Sequence, residues 1–410
     1  MKKPSKILAL VLALMLVVAM VAACAEEAPP VADDPVVDEP VADDPVVEDE
    51  EEPAPPADDE PVVEDTADDV DLHVALVAHG PESIQFDGSF NEGAWWGIVE
   101  FLEGQGLDPA SNAAFFQASA ADDEARIDTM LLAIEWGADV LILPGFHFAA
   151  SVYEAQDLFP EVMFVVLDTR PNGGDGPREA ANTVSILYAE EQSGFAAGYA
   201  AVMEGYTELG FMGGIAVPAV VRFGHGFVEG ADYAAAALGL DEGDITINYH
   251  YIGGFAPSPE VATMAGAWYA AGTEVIFAAA GGAGFSVISA AEDAGTWAIG
   301  VDVDQADDSD RVLTSAMKAL GVSVNDMLTD FVNGNFRGGS NLLFDASVNG
   351  VGLPMDTSRF SNFTVAQFDA IMAQMAAGSI VVSTVLPEEG GSTDPNDLLD
   401  INLVNVNYIS

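Results

Sequence analysis

The chain has 410 residues, 50% of them hydrophobic, and 67 Asp and Glu against 11 Lys and Arg give a formal net charge of −56 at pH 7. That balance excludes nucleic-acid binding through a basic surface, because phosphate neutralisation needs clustered Lys and Arg. A single cysteine excludes an intrachain disulfide and a Cys-based zinc site.

The charge is unevenly placed. Residues 25–71 hold 21 of the acidic side chains and no base, while 72–410 hold 46 acids and eight bases. Lys2, Lys3 and Lys6 precede an uncharged apolar run from Ile7 to Ala23, which ends in Val21-Ala22-Ala23-Cys24. A basic start, an apolar centre and small residues before a cleavage point predict a signal peptide over 1–24. Small residues directly before a lone cysteine resemble the bacterial lipobox, which implies that Cys24 is lipidated and anchors the chain to a membrane. Residues 25–71 contain nine prolines, and Val31-Ala-Asp-Asp-Pro-Val-Val37 recurs as Val41 to Val47. Pro-rich sequence of one charge sign buries too little apolar surface to fold, so this stretch reads as a disordered tether.

From residue 72 short apolar runs alternate with helical spacing. Strands are expected at 73–78, 113–116, 140–143, 162–167, 211–215, 245–251, 275–277 and 297–301. Helices are expected between them at 91–103, 124–136, 190–203, 223–238, 259–271 and 286–294. Continuously apolar strands alternating with helices mark parallel sheets covered on both faces. The region is long enough for two such units. After Asp302 come a strand at 311–315, a helix at 319–333, a strand at 342–346 and a helix at 365–376, read as segments crossing between lobes. The expected division is a first lobe of 72–182 and 316–338, a second of 183–315 and 339–385, and an acidic, irregular segment at 386–410.

No phosphate-binding G-x-x-x-x-G-K-[ST] run and no G-x-S-x-G elbow occurs. The five histidines form no i, i+4 metal pair. Gly281-Gly-Ala-Gly284 follows a strand and opens a helix, which suits a backbone approach to a polar ligand. Ligands of open α/β sheets bind beyond the strand carboxyl ends. There the sequence places Asp87-Gly-Ser-Phe90-Asn91, Pro144-Gly-Phe146, Asp168, Gly253-Gly-Phe255, Gly281-Gly282 and Asp302-Val-Asp304. Lys318 joins them as one of the eight bases. Carboxylates, an amide, a lysine and phenylalanines in one cleft suit a small ligand with hydroxyls and a flat ring.

The string Asp87-Gly-Ser-Phe-Asn-Glu-Gly-Ala-Trp95 resembles the opening motif of the BMP, or basic membrane protein, family. The likeness continues in Gly194-Phe-Ala-Ala-Gly198, Gly213 to Pro218, Gly226-Phe-Val-Glu-Gly230, Val275 to Gly284, Ile299 to Gln305 and Val312 to Lys318. It implies a purine-nucleoside-binding lipoprotein of an ABC transporter, with a type I periplasmic-binding-protein fold and three crossovers between two doubly wound lobes. It further implies that Phe90 and Phe255 sandwich the base, that Asn91 and Asp168 hydrogen-bond it, and that Asp302, Lys318 and the Gly281-Gly282 backbone hold the ribose. The implied partners are the ligand and a membrane permease, with no cofactor and no catalysis. The chain departs from the family in its acidity and in the Ala-Pro-Ser-Pro after Phe255, where the family tends to have an Asp nearby. A sugar-binding protein of the same fold and a receptor presenting its ligand to a sensor share these features. A nucleoside hydrolase would need a metal-binding carboxylate cluster, for which Asp302, Asp304, Asp307 and Asp308 are the candidates.

Overall fold

The computed structural model describes residues 72–410. The expected signal peptide, Cys24 and the Pro-rich tether lie outside the described residues. The chain runs β1 (Val74–Ala78), α1 (Phe90–Gly104), β2 (Ala113–Gln117), α2 (Asp123–Trp136), β3 (Val140–Pro144), α3 (Ala149–Leu158), β4 (Met163–Leu167) and β5 (Thr183–Tyr188). It continues through α4 (Glu190–Glu204), β6 (Glu208–Gly213), α5 (Pro218–Leu238), β7 (Ile245–Tyr251), α6 (Pro259–Ala271), β8 (Val275–Ala279), α7 (Gly284–Ala294), β9 (Trp297–Asp302) and β10 (Val312–Lys318). Last come α8 (Leu320–Val332), β11 (Ser340–Phe344), β12 (Val351–Gly352), α9 (Val365–Ala376) and β13 (Val404–Ile409).

The strands form two sheets, ordered β11-β5-β4-β3-β1-β2 and β12-β10-β9-β8-β6-β7-β13. All neighbours are parallel except β10 and β12. Both faces of each sheet are covered, which is why every residue of β1 is apolar. Val74 and Leu76 pack with Ile98 and Leu102 of α1, whereas Ala75 and Val77 pack with Met130 and Ala133 of α2. In the second sheet Leu209 and Phe211 face one core and Met212 the other.

Three segments cross between the sheets: Tyr188 to Glu190, Lys318 to Leu320, and Phe344 to Val351. Three lobe boundaries differ from expectation. Thr183–Tyr188 pairs with β4 and β11, so the first lobe extends past 182 and also takes in Ser340–Phe344. Ala316, Met317 and Lys318 pair with β9 or β12 and belong to the second lobe. The 386–410 segment is not irregular throughout, because Val404–Ile409 extends the second sheet beside β7.

Gly194 and Gly198 on α4 face Gly226 and Gly230 on α5. A Cβ on Gly198 would sit 2.0 Å from the Phe227 carbonyl oxygen, and one on Gly226 would sit 2.0 Å from that of Glu191. These motifs therefore set helix contact and not ligand contact. No helix among the described residues is long and apolar enough to cross a membrane.

Residues 72–410 combine 46 acids with eight bases, so self-repulsion opposes compaction. Molar NaCl shortens the screening length to about 3 Å, and the melting temperature should rise between low salt and 1 M. Equal melting temperatures would rule out acidity as an adaptation to a saline medium.

Candidate functional site

The carboxyl ends of strands from both sheets face one cleft of about 740 Å³. Phe90, Asn91, Phe146, Asp168, Phe255, Gly281, Gly282, Asp302 and Lys318 all line it.

At the start of α1 the Asp87 carboxylate accepts backbone N–H bonds from Ser89 and Glu92 on Oδ1 (3.0 and 3.1 Å) and from Asn91 on Oδ2 (3.1 Å). These donors favour the charged form, yet burial outweighs them and raises the Asp87 pKa to about 6. The anchored helix start presents Phe90 and Asn91 to the cleft. Asn91 Nδ2 donates to Ser83 Oγ (3.0 Å) and to the Ile84 carbonyl (2.9 Å), which leaves its Oδ1 for the cleft.

The floor is built around Lys318, which is 4% exposed. Its Nζ lies 2.6 Å from Asp168 Oδ2, 3.4 Å from Asp302 Oδ1 and 3.5 Å from Glu190 Oε1. The ammonium also sits 4.6 Å from the Phe90 ring centre and 5.3 Å from that of Phe223. Burial disfavours the Lys318 charge, but Asp168, Asp302 and Glu190 together outweigh it and raise the pKa. Burial holds the Asp168 carboxyl well above the ordinary carboxylate range, with Lys318 pulling the other way. Asp168 Oδ1 is buried with no hydrogen-bond partner among the described residues. Glu190 also accepts from Arg222 Nη1 at 3.1 Å.

Asp168 and Asp302 have φ of +62° and +68°, a left-handed backbone shared with one other described non-glycine residue, Asn349. Such a conformation costs about 1–3 kcal/mol at each position and recurs at ligand sites, where it re-aims a side chain. Across the cleft, Gly281 at φ +52° begins the turn before α7, and the Ala283 N–H donates to the Phe255 carbonyl at 2.7 Å. That turn holds the Phe255 segment in place.

The lobes meet at one rim. Ser89 Oγ donates to Asp302 Oδ2 (2.7 Å), Gln305 Nε2 donates to the Gly88 carbonyl (2.9 Å), and Phe285 lies so near Gly88 that a Cβ there would be 2.2 Å from its Cζ. Sequence reasoning missed Ser89, Gln305 and Glu190. Ser89 and Gln305 sit inside or beside recognised motifs. Glu190 follows β5, the strand whose pattern was not recognised. Of the hydrolase candidates, Asp302 faces Lys318, whereas Asp304 accepts from Thr357 Oγ1 (2.6 Å) and the Ala306 N–H (3.0 Å). No group of three or more potential metal ligands occurs among the described residues.

A family profile described as Bmp, ABC transporter substrate-binding protein PnrA-like, matches residues 73–383. The chain belongs to the Bmp family. It is 29% identical over 309 residues to the ABC transporter nucleoside-binding protein BmpA of Lactococcus lactis, covering 70% of this chain and 83% of that one. It is 31% identical over 258 residues to basic membrane protein A1 of Borrelia garinii, covering 62% and 72%. Among solved structures, a solute-binding protein of an Aeropyrum pernix ABC transporter superposes with a TM-score of 0.66 at 20% identity, covering 78% of this chain and 95% of that one. One from Conexibacter woesei gives 0.61 at 21% identity, covering 77% and 99%. These two establish the type I periplasmic-binding-protein fold. As a Bmp protein the chain is an ABC transporter substrate-binding protein, and the family profile spans the whole first sheet, the second sheet except one edge strand, and every cleft residue described above. The profile ends before β13, so that edge strand lies outside the family match.

Proposed function

We propose that this Bmp protein, lipid-anchored at Cys24 on the extracytoplasmic face of the membrane, captures a purine nucleoside between its lobes and delivers it to an ABC permease. The observation that carries the ligand class is the Lys318 cluster. Lys318, the one Lys or Arg among the described cleft residues, is already surrounded by Asp168, Asp302 and Glu190, so the floor is net negative and rich in acceptors. A phosphate would meet carboxylates there, whereas neutral hydroxyl or N–H groups find acceptors, including Asp168 Oδ1. The phenylalanine walls favour a flat ring.

In this reading Phe90 and Phe255 sandwich the base, and Asn91 and Asp168 bond its edge. Asp302, Lys318 and the Gly281-Gly282 backbone hold the ribose, and Phe146 closes the wall. The description of the Lactococcus relative as nucleoside-binding supports the same class. Lobe closure around the ligand excludes water and presents the closed form to the permease.

A thermal-shift screen tests the reading. Purine nucleosides should raise the melting temperature, with about 2.7 kcal/mol of stabilisation at 100 times Kd, and nucleotides should not. A response to pentoses or hexoses with none to nucleosides replaces it with the sugar-binding reading. Phe90→Ala and Asp302→Ala should each weaken calorimetric nucleoside affinity at least tenfold, or about 1.4 kcal/mol. Unchanged affinity in both removes the assigned site.

A further inference from the structure

Three neighbouring strands of the first sheet, β4, β3 and β1, end in a row at the cleft. Asp168 ends the first and is engaged by Lys318. Phe146 and His147 follow the second, and His79 follows the third; all three line the cleft.

The two imidazoles are stacked, with ring centres 3.8 Å apart and planes 16° from parallel. The Phe146 ring centre lies 3.8 Å from that of His147, tilted by 32°. Behind the stack Arg126 Nε donates to the His79 carbonyl at 3.0 Å, and its Nη1 pairs with Asp123 at 2.9 Å. Burial, with the Arg126 cation added, lowers the His79 pKa to about 4. Burial, His79 and Arg126 lower that of His147 to about 4 as well. Both rings are therefore neutral at pH 7.

Among the described residues His79 Nδ1 is buried without a hydrogen-bond partner, and neither ring nitrogen of His147 has one. A neutral imidazole carries one N–H donor and one acceptor. Asp168 beside it offers acceptors, and the Asn91 amide nitrogen is committed to the loop before it. With neither ring nitrogen engaged among the described residues, His147 is thus a side chain of this row that can donate to a ligand, or accept from it, without charge.

We propose that His147, braced by His79, hydrogen-bonds a polar substituent at the outer edge of the ligand's ring and selects nitrogen heterocycles that carry one. The inference rests on the nucleoside reading and adds a specificity residue to it. A site built to bond a polar group rejects the analogue lacking it, because its own buried group is then left unpaired.

Calorimetry with inosine and with purine riboside, the same ring without the 6-oxygen, tests the inference in the full protein. The wild type should bind inosine at least fivefold more tightly. His147→Phe keeps a stacking ring without nitrogens and should bring the ratio below twofold. His147→Gln, which can donate and accept, should keep the ratio above threefold. A wild-type ratio below twofold, or a full ratio retained in His147→Phe, overturns the inference. If His147→Phe fails to melt cooperatively, the wild-type ratio and His147→Gln decide, and loss of the ratio in His147→Gln counts against it. Should the wild type bind neither compound, the nucleoside reading itself falls.

Discussion

Replacing Lys318 by Met should abolish ligand capture and lower the unfolding free energy by about 3–5 kcal/mol, the usual loss when one partner of a buried ion pair is removed. Three carboxylates share this ammonium, and the side chains of Asp168, Glu190 and Asp302 are 10%, 1% and 9% exposed. Glu190 keeps Arg222 and Asp302 keeps Ser89. Asp168 keeps no hydrogen-bond donor among the described residues, so most of the deficit falls there. Burial already holds its pKa above the unfolded value, and removal of Lys318 raises it further. The folded variant then takes up the proton before the unfolded chain does as pH falls, so acid favours the folded state. Denaturant titrations should therefore show the deficit shrinking from pH 8 towards pH 5. A loss below about 1 kcal/mol, or one independent of pH, would contradict a buried charge cluster held by Lys318.

The second large effect lies away from the cleft. Gly198→Ala should destabilise by about 3 kcal/mol or more, and Gly198→Leu should prevent cooperative folding, because small-to-large changes in a filled contact force backbone shifts. The new Cβ would meet the Phe227 carbonyl oxygen at 2.0 Å and the Ala231 nitrogen at 3.1 Å, and neither atom can swing aside as a side-chain tip would. Reciprocal contacts at Gly194, Gly226 and Gly230 leave α4 and α5 no room to slide. Gly266 on α6 is the control, since a Cβ there meets nothing within 4 Å. Gly266→Ala should stabilise by about 0.5–1 kcal/mol through helix propensity alone. Thermal melts of the two alanine variants should move in opposite directions. Two shifts of the same sign would mean that these helices are not locked through their backbones.

The sequence carried most of the architecture because buried parallel strands leave unbroken apolar runs. Ile245–Tyr251 and the helix Val365–Ala376 have the bounds their patterns predict. Strand β5 escaped because Thr183 and Ser185 interrupt its apolar run, although both are fully buried. Its omission put the lobe boundary six residues early and hid the crossover that delivers Glu190. Strand β13 escaped for the opposite reason: Val404-Asn-Val-Asn-Tyr-Ile alternates as a half-exposed edge does, behind an acidic stretch. Seven of the nine expected cleft residues were legible because each stands at or just past a strand end, whereas Phe90 and Asn91, at the start of α1, were legible through the Asp87–Trp95 motif. The ties from Ser89 and Gln305 were not, since a hydroxyl or amide has no periodicity and acquires meaning only when the other lobe approaches.

The strand orders have a consequence for cutting the molecule apart. The edge strand β11 reaches β5 from 156 residues downstream, as in the pair Ser340 and Val184, and β13 reaches β7 from 159 residues downstream. Each lobe thus borrows a strand encoded beyond the other lobe's first strand or beyond the last crossover. A fragment ending at Tyr188 would leave one side of β5 unpaired, an open edge that invites self-association. The two halves are accordingly not separable folding modules. Expressing either alone should yield aggregates, whereas both fragments produced together have the pieces to complement one another.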